Sequence, residues 1–438
     1  MNMSQLDTRF IPPFLVPVRF FLTAPFFAVL GACLLFWQPD AITLSRWTPL
    51  TLAFVHLITL GVLLMNMTGA VMQVLPVLHG KAFPAINWLP RLLHLILIAG
   101  VLGLTAGFTF GLSELLILGG GLLGLSLLLF SCSLLYIIGK PWQAGTSAQG
   151  IALATVLLLL TLFSGLWLLQ GYLPSGHWIS KEVTQLHLTL GIKGWCLLLI
   201  FAVAQQVIPM FHVTPDFPKS FVCIWPWVYF SVLCLYIIST LFNLAEISLI
   251  LQVLELCLSS FSALLILYLI QQRKRKIPDT TRSCWQIGWS SLLLGNMLML
   301  LQPIWPEAYL YLWHWWLGVC WLAGFVLTII SGMLLKIMPF LSYLHLQQQA
   351  GMNMQAMMLV PNMHQLIDQK HSRYCFYLWC SCLVLLLLAP LASILAQLIA
   401  LVLAISFIFS AWLLFRCWQN YSNYQQKIAQ EINASEDL

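Results

Sequence analysis

Apolar runs long enough to cross a lipid bilayer recur along this chain from about Phe20 to about Trp418. A spanning helix needs about 20 predominantly apolar residues. Twelve segments meet that length, near 19–38, 50–78, 90–110, 113–139, 150–172, 184–210, 221–243, 246–271, 284–303, 310–338, 374–392 and 394–416. The breaks are polar or helix-stopping clusters such as Gln38-Pro39-Asp40, Gly139-Lys140-Pro141 and Pro215-Asp216-Phe217-Pro218. Lipid offers no partner to a backbone amide, so the spans are expected to be helices and the fold all-α. Only 7% of the 438 residues are charged, against about 25% in a soluble domain. That excludes a soluble enzyme, a secreted disulfide scaffold and a nucleic-acid binder. The expected layout is a segment over 1–18, one twelve-helix domain over 19–416 with a polar loop near 341–373, and a tail over 417–438.

Basic residues orient the bundle. With the N-terminus inside, one side holds Arg9, Arg19, Lys81, Arg91, Lys140, Lys219, Arg273, Lys274, Arg275, Lys276, Arg282, Lys336, Lys370, Arg373, Arg416 and Lys427, sixteen in all. The other side and the spans hold three, Arg46, Lys181 and Lys193. This is a strong positive-inside bias, and it predicts both termini in the cytoplasm. The run Arg273-Lys274-Arg275-Lys276 reads as a topology anchor. The formal charge of +6 comes from such short loops and is no sign of a nucleic-acid partner. The first apolar run is expected to be a full span and not a cleaved leader. The twelve Cys are scattered without a C-x-x-C, and free Cys in apolar runs behaves as a small buried hydrophobe. The Gly103/Gly107 and Gly120/Gly124 pairs have the spacing that lets membrane helices approach closely.

The chain repeats itself three times. From His56 it reads H-L-I-T-L-G, with Q-V-L-P-V over 73–77; from His187, H-L-T-L-G with Q-V-I-P-M over 206–210; from His314, H-W-W-L-G with K-I-M-P-F over 336–340. The His are 131 and 127 residues apart, and each precedes its Pro by 20, 22 or 25 residues. The blocks fall on spans 2, 6 and 10, near 50–78, 184–210 and 310–338. Twelve spans thus form three groups of four, a pseudo-threefold bundle. All three repeat spans run from outside to inside, so the three His are expected at one depth, within about two helical turns of the outer surface.

A His inside a membrane is a functional-site hypothesis by default, and neutral imidazole is a common ligand for haem iron and copper. Carboxylates near the spans are few (Glu114, Glu182, Glu246, Glu255 and Glu307), and only Glu255 lies well inside a run. An ion-coupled transporter would be expected to carry more. Trp195, Trp313, Trp315 and Trp316 are candidates to line a flat macrocycle, although interface anchoring explains each of them as well. Lys193 is a candidate partner for a propionate or substrate anion, or a residue that snorkels outward. The inner ends carry a weaker echo, Pro76 to His79 and Pro209 to His212, which Ser342 breaks in the third block. The Met-rich stretch over 352–364 offers soft ligands for Cu(I), and an amphipathic surface segment explains it equally.

In its twelve spans, its threefold grouping and its His on spans 2, 6 and 10, the chain resembles the catalytic subunit of haem–copper oxidases and nitric oxide reductases. It is still more similar to the reduced NnrS-type haem- and copper-containing membrane proteins of bacteria, linked to nitric oxide stress. The resemblance implies His56 and His314 as the axial pair of one haem, taken as b-type, with His187 at a second site where copper is possible. It further implies an inner-membrane location, a small ligand such as nitric oxide and an electron donor of unknown identity. Departures from the oxidases are as informative. Trp313-His314-Trp315 stands where an H-x-H would, the run over 221–243 has no His, and Gly191 stands where many oxidases have Tyr. Those gaps exclude the oxidase route to dioxygen reduction. The competing readings are a cofactor-free permease and a non-catalytic assembly or regulatory relative.

Reporter fusions after Gln272 and Gln365 are expected to report the cytoplasm, and fusions near Pro39 and Ser175 the opposite side. A reversed signal at any two of the four would exclude the twelve-span topology.

Overall fold

The computed structural model describes residues 10–40, 45–174, 176–274, 279–391 and 394–436. Arg9, Ser175, Arg275 and Lys276 lie outside the described residues. The described residues contain no strand, and twelve helices are long and apolar enough to cross a membrane. They are α1 (Leu15–Trp37), α2 (Pro49–His79), α3 (Leu89–Phe110), α4 (Ser113–Ile138), α5 (Thr146–Gln170) and α6 (Lys181–His212). Then come α7 (Lys219–Leu241), α8 (Ala245–Gln271), α9 (Thr280–Ile304), α10 (Glu307–Ala350), α11 (Gln369–Leu388) and α12 (Ile394–Ser435). The protein is an all-α integral membrane bundle.

Neighbours in sequence are neighbours in space. Within and between the groups of four, α3 packs on α4, α4 on α5, α7 on α8 and α8 on α9, and α12 returns to pack on α1. The repeat helices α2, α6 and α10 are the most buried of the twelve. Each of the three also leaves regular α geometry at the same place. Leu57–Leu64, Leu190–Leu197 and Val319–Leu327 are π-helical, beginning one, three and five residues after His56, His187 and His314. Extended π segments are rare, and π-bulges concentrate at functional sites. Three of them at matching positions reproduce the sequence repeat as backbone geometry.

Close approach between α3 and α4 depends on glycine. A Cβ on Gly119 would lie 2.1 Å from the Leu104 amide nitrogen, and one on Gly103 would lie 3.1 Å from the Gly119 Cα. Gly103 and Gly107 thus face α4 as their spacing suggested, but the partner glycine is Gly119. Gly120 and Gly124 turn instead toward Leu169 and Leu166 of α5.

Two helices run past their apolar segments. α10 stays helical to Ala350, so the polar connection is shorter than the expected 341–373 and holds the short helices Met354–Met358 and Met363–Leu366. α12 stays helical to Glu436, where a tail was expected. Its last turns are amphipathic: Tyr421 and Ile428, two turns apart, are buried, Gln349 Nε2 donates to the Gln425 carbonyl, and Asn353 Nδ2 donates to Ser435 Oγ. Met352, Met354 and Met358 are exposed, while Ala356 between them is the buried residue.

Because the Gly119 contact is with backbone and cannot be relieved by a rotamer change, Gly119→Ala should destabilise the bundle by about 1–3 kcal/mol. Gly121→Ala, which would meet nothing within 4 Å, is expected to be nearly neutral. Thermal unfolding of both variants in detergent checks the contrast.

Candidate functional site

Each repeat histidine sits six or seven residues after the start of its helix, His56 after Pro49, His187 after Lys181 and His314 after Glu307. At 1.5 Å per residue that is one depth, about 10 Å from the helix starts. All three line a single cavity of about 640 Å³, inside the range of about 300–1,000 Å³ that holds cofactors and small ligands. Its wall is largely apolar, with leucine the commonest residue beside Phe108 and Trp195, and Arg46 and Trp47, just before α2, line it too. The charge bias puts those helix starts on the outer side.

The three imidazoles are held in two ways. His56 Nδ1 donates to the Leu52 carbonyl and His314 Nδ1 to the Leu310 carbonyl, each at 2.7 Å and each one turn back on its own helix. His187 instead reaches across to α5, where its Nδ1 lies 3.0 Å from the Thr161 carbonyl and 3.2 Å from Ser164 Oγ. That approach requires Gly165, since a Cβ there would lie 2.9 Å from His187 Cε1. An imidazole whose Nδ1–H is given to a carbonyl carries its free lone pair on Nε2, the arrangement typical of metal-binding His. The rings of His56 and His187 are 6.3 Å apart at an interplanar angle of 30°, and Phe108 stacks against His56. His314 faces the same cavity, and its ring packs edge-on against Trp313. Among the described residues no three His, Cys, Asp or Glu side chains converge as a metal-ligand cluster.

The tryptophans divide. Trp195 and Trp313 are buried and line the cavity, with Trp313 Nε1 donating to the Leu298 carbonyl. Trp315 and Trp316 point away, and their indoles donate to the Leu386 and Leu387 carbonyls of α11. Pro390 has no N–H to offer the carbonyl four residues back, so the Trp315 indole satisfies an acceptor that the helix end leaves free. Tyr172, just past the end of α5, also lines the cavity.

Lys193 is not open to the cavity. Its Nζ lies 2.5 Å from Glu255 Oε2 and 4.2 Å from the centre of the Trp321 ring. The Tyr229 hydroxyl donates to Glu255 Oε1 at 2.8 Å. Lys193 and Glu255 are both 3% exposed, so an outside anion would have to displace Glu255. Glu255 stood out in the sequence as the one carboxylate deep in a span, but 62 residues separate it from Lys193, and only the fold reveals them as a pair. Arg46 and Trp47 were missed for a related reason: they lie in a connection, outside any repeat block.

The inner ends of the repeat helices do not form a second His site. His212 Nδ1 lies 3.6 Å from Asp279 Oδ2, and Lys336 Nζ lies 3.1 Å from the same oxygen. Burial alone would raise the Asp279 carboxyl. The Lys336 charge, His212 and the hydrogen bonds from Lys336 and the Thr281 N–H outweigh it and hold the group below the usual carboxylate range. His79 does not share this cluster; Lys81 is the charge beside it.

Compared with known proteins, the chain matches no family model and no curated sequence.

A methyl group on Gly165 strikes the His187 ring, so Gly165→Ala should displace His187 and leave the Nδ1 bonds of His56 and His314 intact. Histidine side-chain NMR checks this: the Nδ1 and Nε2 resonances of His187 are expected to move alone. Equal shifts in all three rings would contradict the separate anchoring.

Proposed function

We propose that this protein is a haem-binding protein of a bacterial-type inner membrane, which handles nitric oxide or transfers electrons and does not reduce dioxygen. The observation that carries the reading is the meeting of three repeat histidines in one cofactor-sized, largely apolar cavity. The residues present suit a haem. His56 and His314 each keep Nε2 free by tying Nδ1 to their own helix, the leucine-rich wall suits a macrocycle, and Arg46 in that wall stays cationic under all ordinary conditions, as acidic substituents would require. Bound there, a haem would supply one-electron chemistry and a site for a diatomic ligand. The chain's own part would be to orient the imidazoles, to keep water off the apolar wall and to place the Arg46 charge in it. His56 and His314, anchored alike, are the two residues that would hold the haem iron. His187, held by α5, is assigned to a neighbouring position, where copper is the candidate metal.

The missing partners argue against dioxygen reduction. Gly191 lines the cavity without a phenol, and α7 contributes Tyr236 and no His. A permease reading draws on the same cavity and on the buried Lys193–Glu255 pair, because intramembrane charges also mark transport paths. Colour separates the two readings: purified haem protein shows a Soret band and a pyridine haemochrome, and a permease shows neither.

Given haem, His56→Ala or His314→Ala is expected to abolish a low-spin spectrum or convert it to high spin, and His187→Ala to leave it largely intact. The 6.3 Å spacing of the His56 and His187 rings defines the rival pair. Loss of the low-spin signal in His187→Ala, with His314→Ala unchanged, would establish that rival.

A further inference from the structure

An ion pair with almost no exposure to solvent, placed within a membrane bundle, needs an explanation beyond packing. Desolvating two charges costs more than their attraction commonly returns, and a well-packed apolar pair would often be as stable. Lys193 and Glu255 are such a pair, and they sit directly behind the histidine cavity. Trp321, over whose ring the Lys193 ammonium lies, is itself part of the cavity wall. Gln252, one turn from Glu255 on α8, and Tyr236, two turns from Tyr229 on α7, also line the cavity. These two are the residues by which α8 and α7 reach the cavity wall.

We propose that Lys193, Glu255 and Tyr229 form a proton-exchange site behind the cavity wall, which takes up one proton from the cavity when a negative charge arrives there. In the resting cluster Lys193 is an ammonium, Glu255 a carboxylate and Tyr229 a phenol, and the net charge is zero. Uptake converts the Glu255 carboxylate to a carboxylic acid and leaves Lys193 protonated. The cluster then carries one positive charge, which balances one electron added in the cavity by a one-electron reductant. Both Glu255 oxygens accept in the resting cluster, from Lys193 on Oε2 and from the Tyr229 hydroxyl on Oε1, so the added proton goes to Oε1 as the Tyr229 hydroxyl turns to donate to the Lys193 carbonyl, 3.3 Å away, and accepts from the new acid. The side chains that the neighbouring helices pack around the pair add no further charge. α7 presents Tyr229 and, further away, Tyr236, α5 presents Leu157 beside Gly194, and α10 presents Trp321. On the far side, Asn296 of α9 binds Ser259 and Ser260, next along α8 from Glu255, and carries no charge. The site itself stands on this geometry; only the electron that triggers it rests on the haem reading.

Infrared difference spectroscopy on the full-length protein in lipid nanodiscs tests the two parts separately. Acid-minus-alkaline spectra are expected to show a carboxylic-acid C=O band that shifts in D2O, disappears in Glu255→Gln and persists in Glu182→Gln, an exposed control. The double variant Lys193→Met/Glu255→Gln removes both charges together and serves if the single variant fails to fold. A wild-type spectrum without the band, or a band that survives in either Glu255 variant, would overturn the site. Dithionite reduction of the haem-loaded protein should produce the same band at fixed pH. A Soret shift on reduction without the Glu255 band would overturn the coupling. Absence of a Soret band would overturn the haem reading instead, and the acid-minus-alkaline spectra would still decide the proton site.

Discussion

Backbone amides in lipid have no water to bond, and the architecture of this chain follows from where their partners come from. Along most of each span the helix supplies them. At the ends and breaks, side chains do it: the Trp315 and Trp316 indoles meet the last carbonyls of α11 beside Pro390, and Lys81 Nζ meets the Ile137 carbonyl at the end of α4. The π segments solve the same problem differently. They shift the hydrogen-bond partner by one residue, so the helix changes phase deep in the bundle.

That change of phase matters because of what stands before it. In α2, α6 and α10 the histidine sits on the first turns and the π segment follows, so the residues toward the His end and those further in do not share one regular stripe. Leu64, Trp195 and Leu322, eight residues beyond their histidines, still reach the cavity wall. The three helices thus line a cavity over several turns. A largely apolar wall, here with the three histidines among its polar groups, is the usual make-up of a cofactor pocket.

Much of this architecture was legible in the sequence. Twelve spans and a threefold repeat follow from apolar length and from the recurrence of His, Gly and Pro, because lipid leaves helix as the one open-chain solution. The shared depth of His56, His187 and His314 could be read for the same reason. The different anchoring of His187 could not be read, since it depends on the gap that Gly165 leaves in a neighbouring helix. Lys193 showed a charge in an apolar run, but its partner 62 residues away has no sequence signal beyond being a lone buried-looking carboxylate. The helix beyond residue 416 carries no sequence signal of its own, because its buried positions, Tyr421 and Ile428, are too sparse to resemble a span. They form one stripe on a polar helix, and the Phe14 ring, just before α1, stacks on Tyr421.

The contact between α1 and α12 closes the ring of helices, and it joins the first and last spans of the chain. During synthesis α1 is made long before its partner, so it must wait in lipid with one face uncovered while ten other spans are inserted. Contacts so distant in sequence form late. The cavity lies among helices that the closed ring surrounds, and its final shape therefore depends on α12, which is made after all three histidines. A chain interrupted before α12 would carry all three histidines and still lack the enclosure that holds them in register.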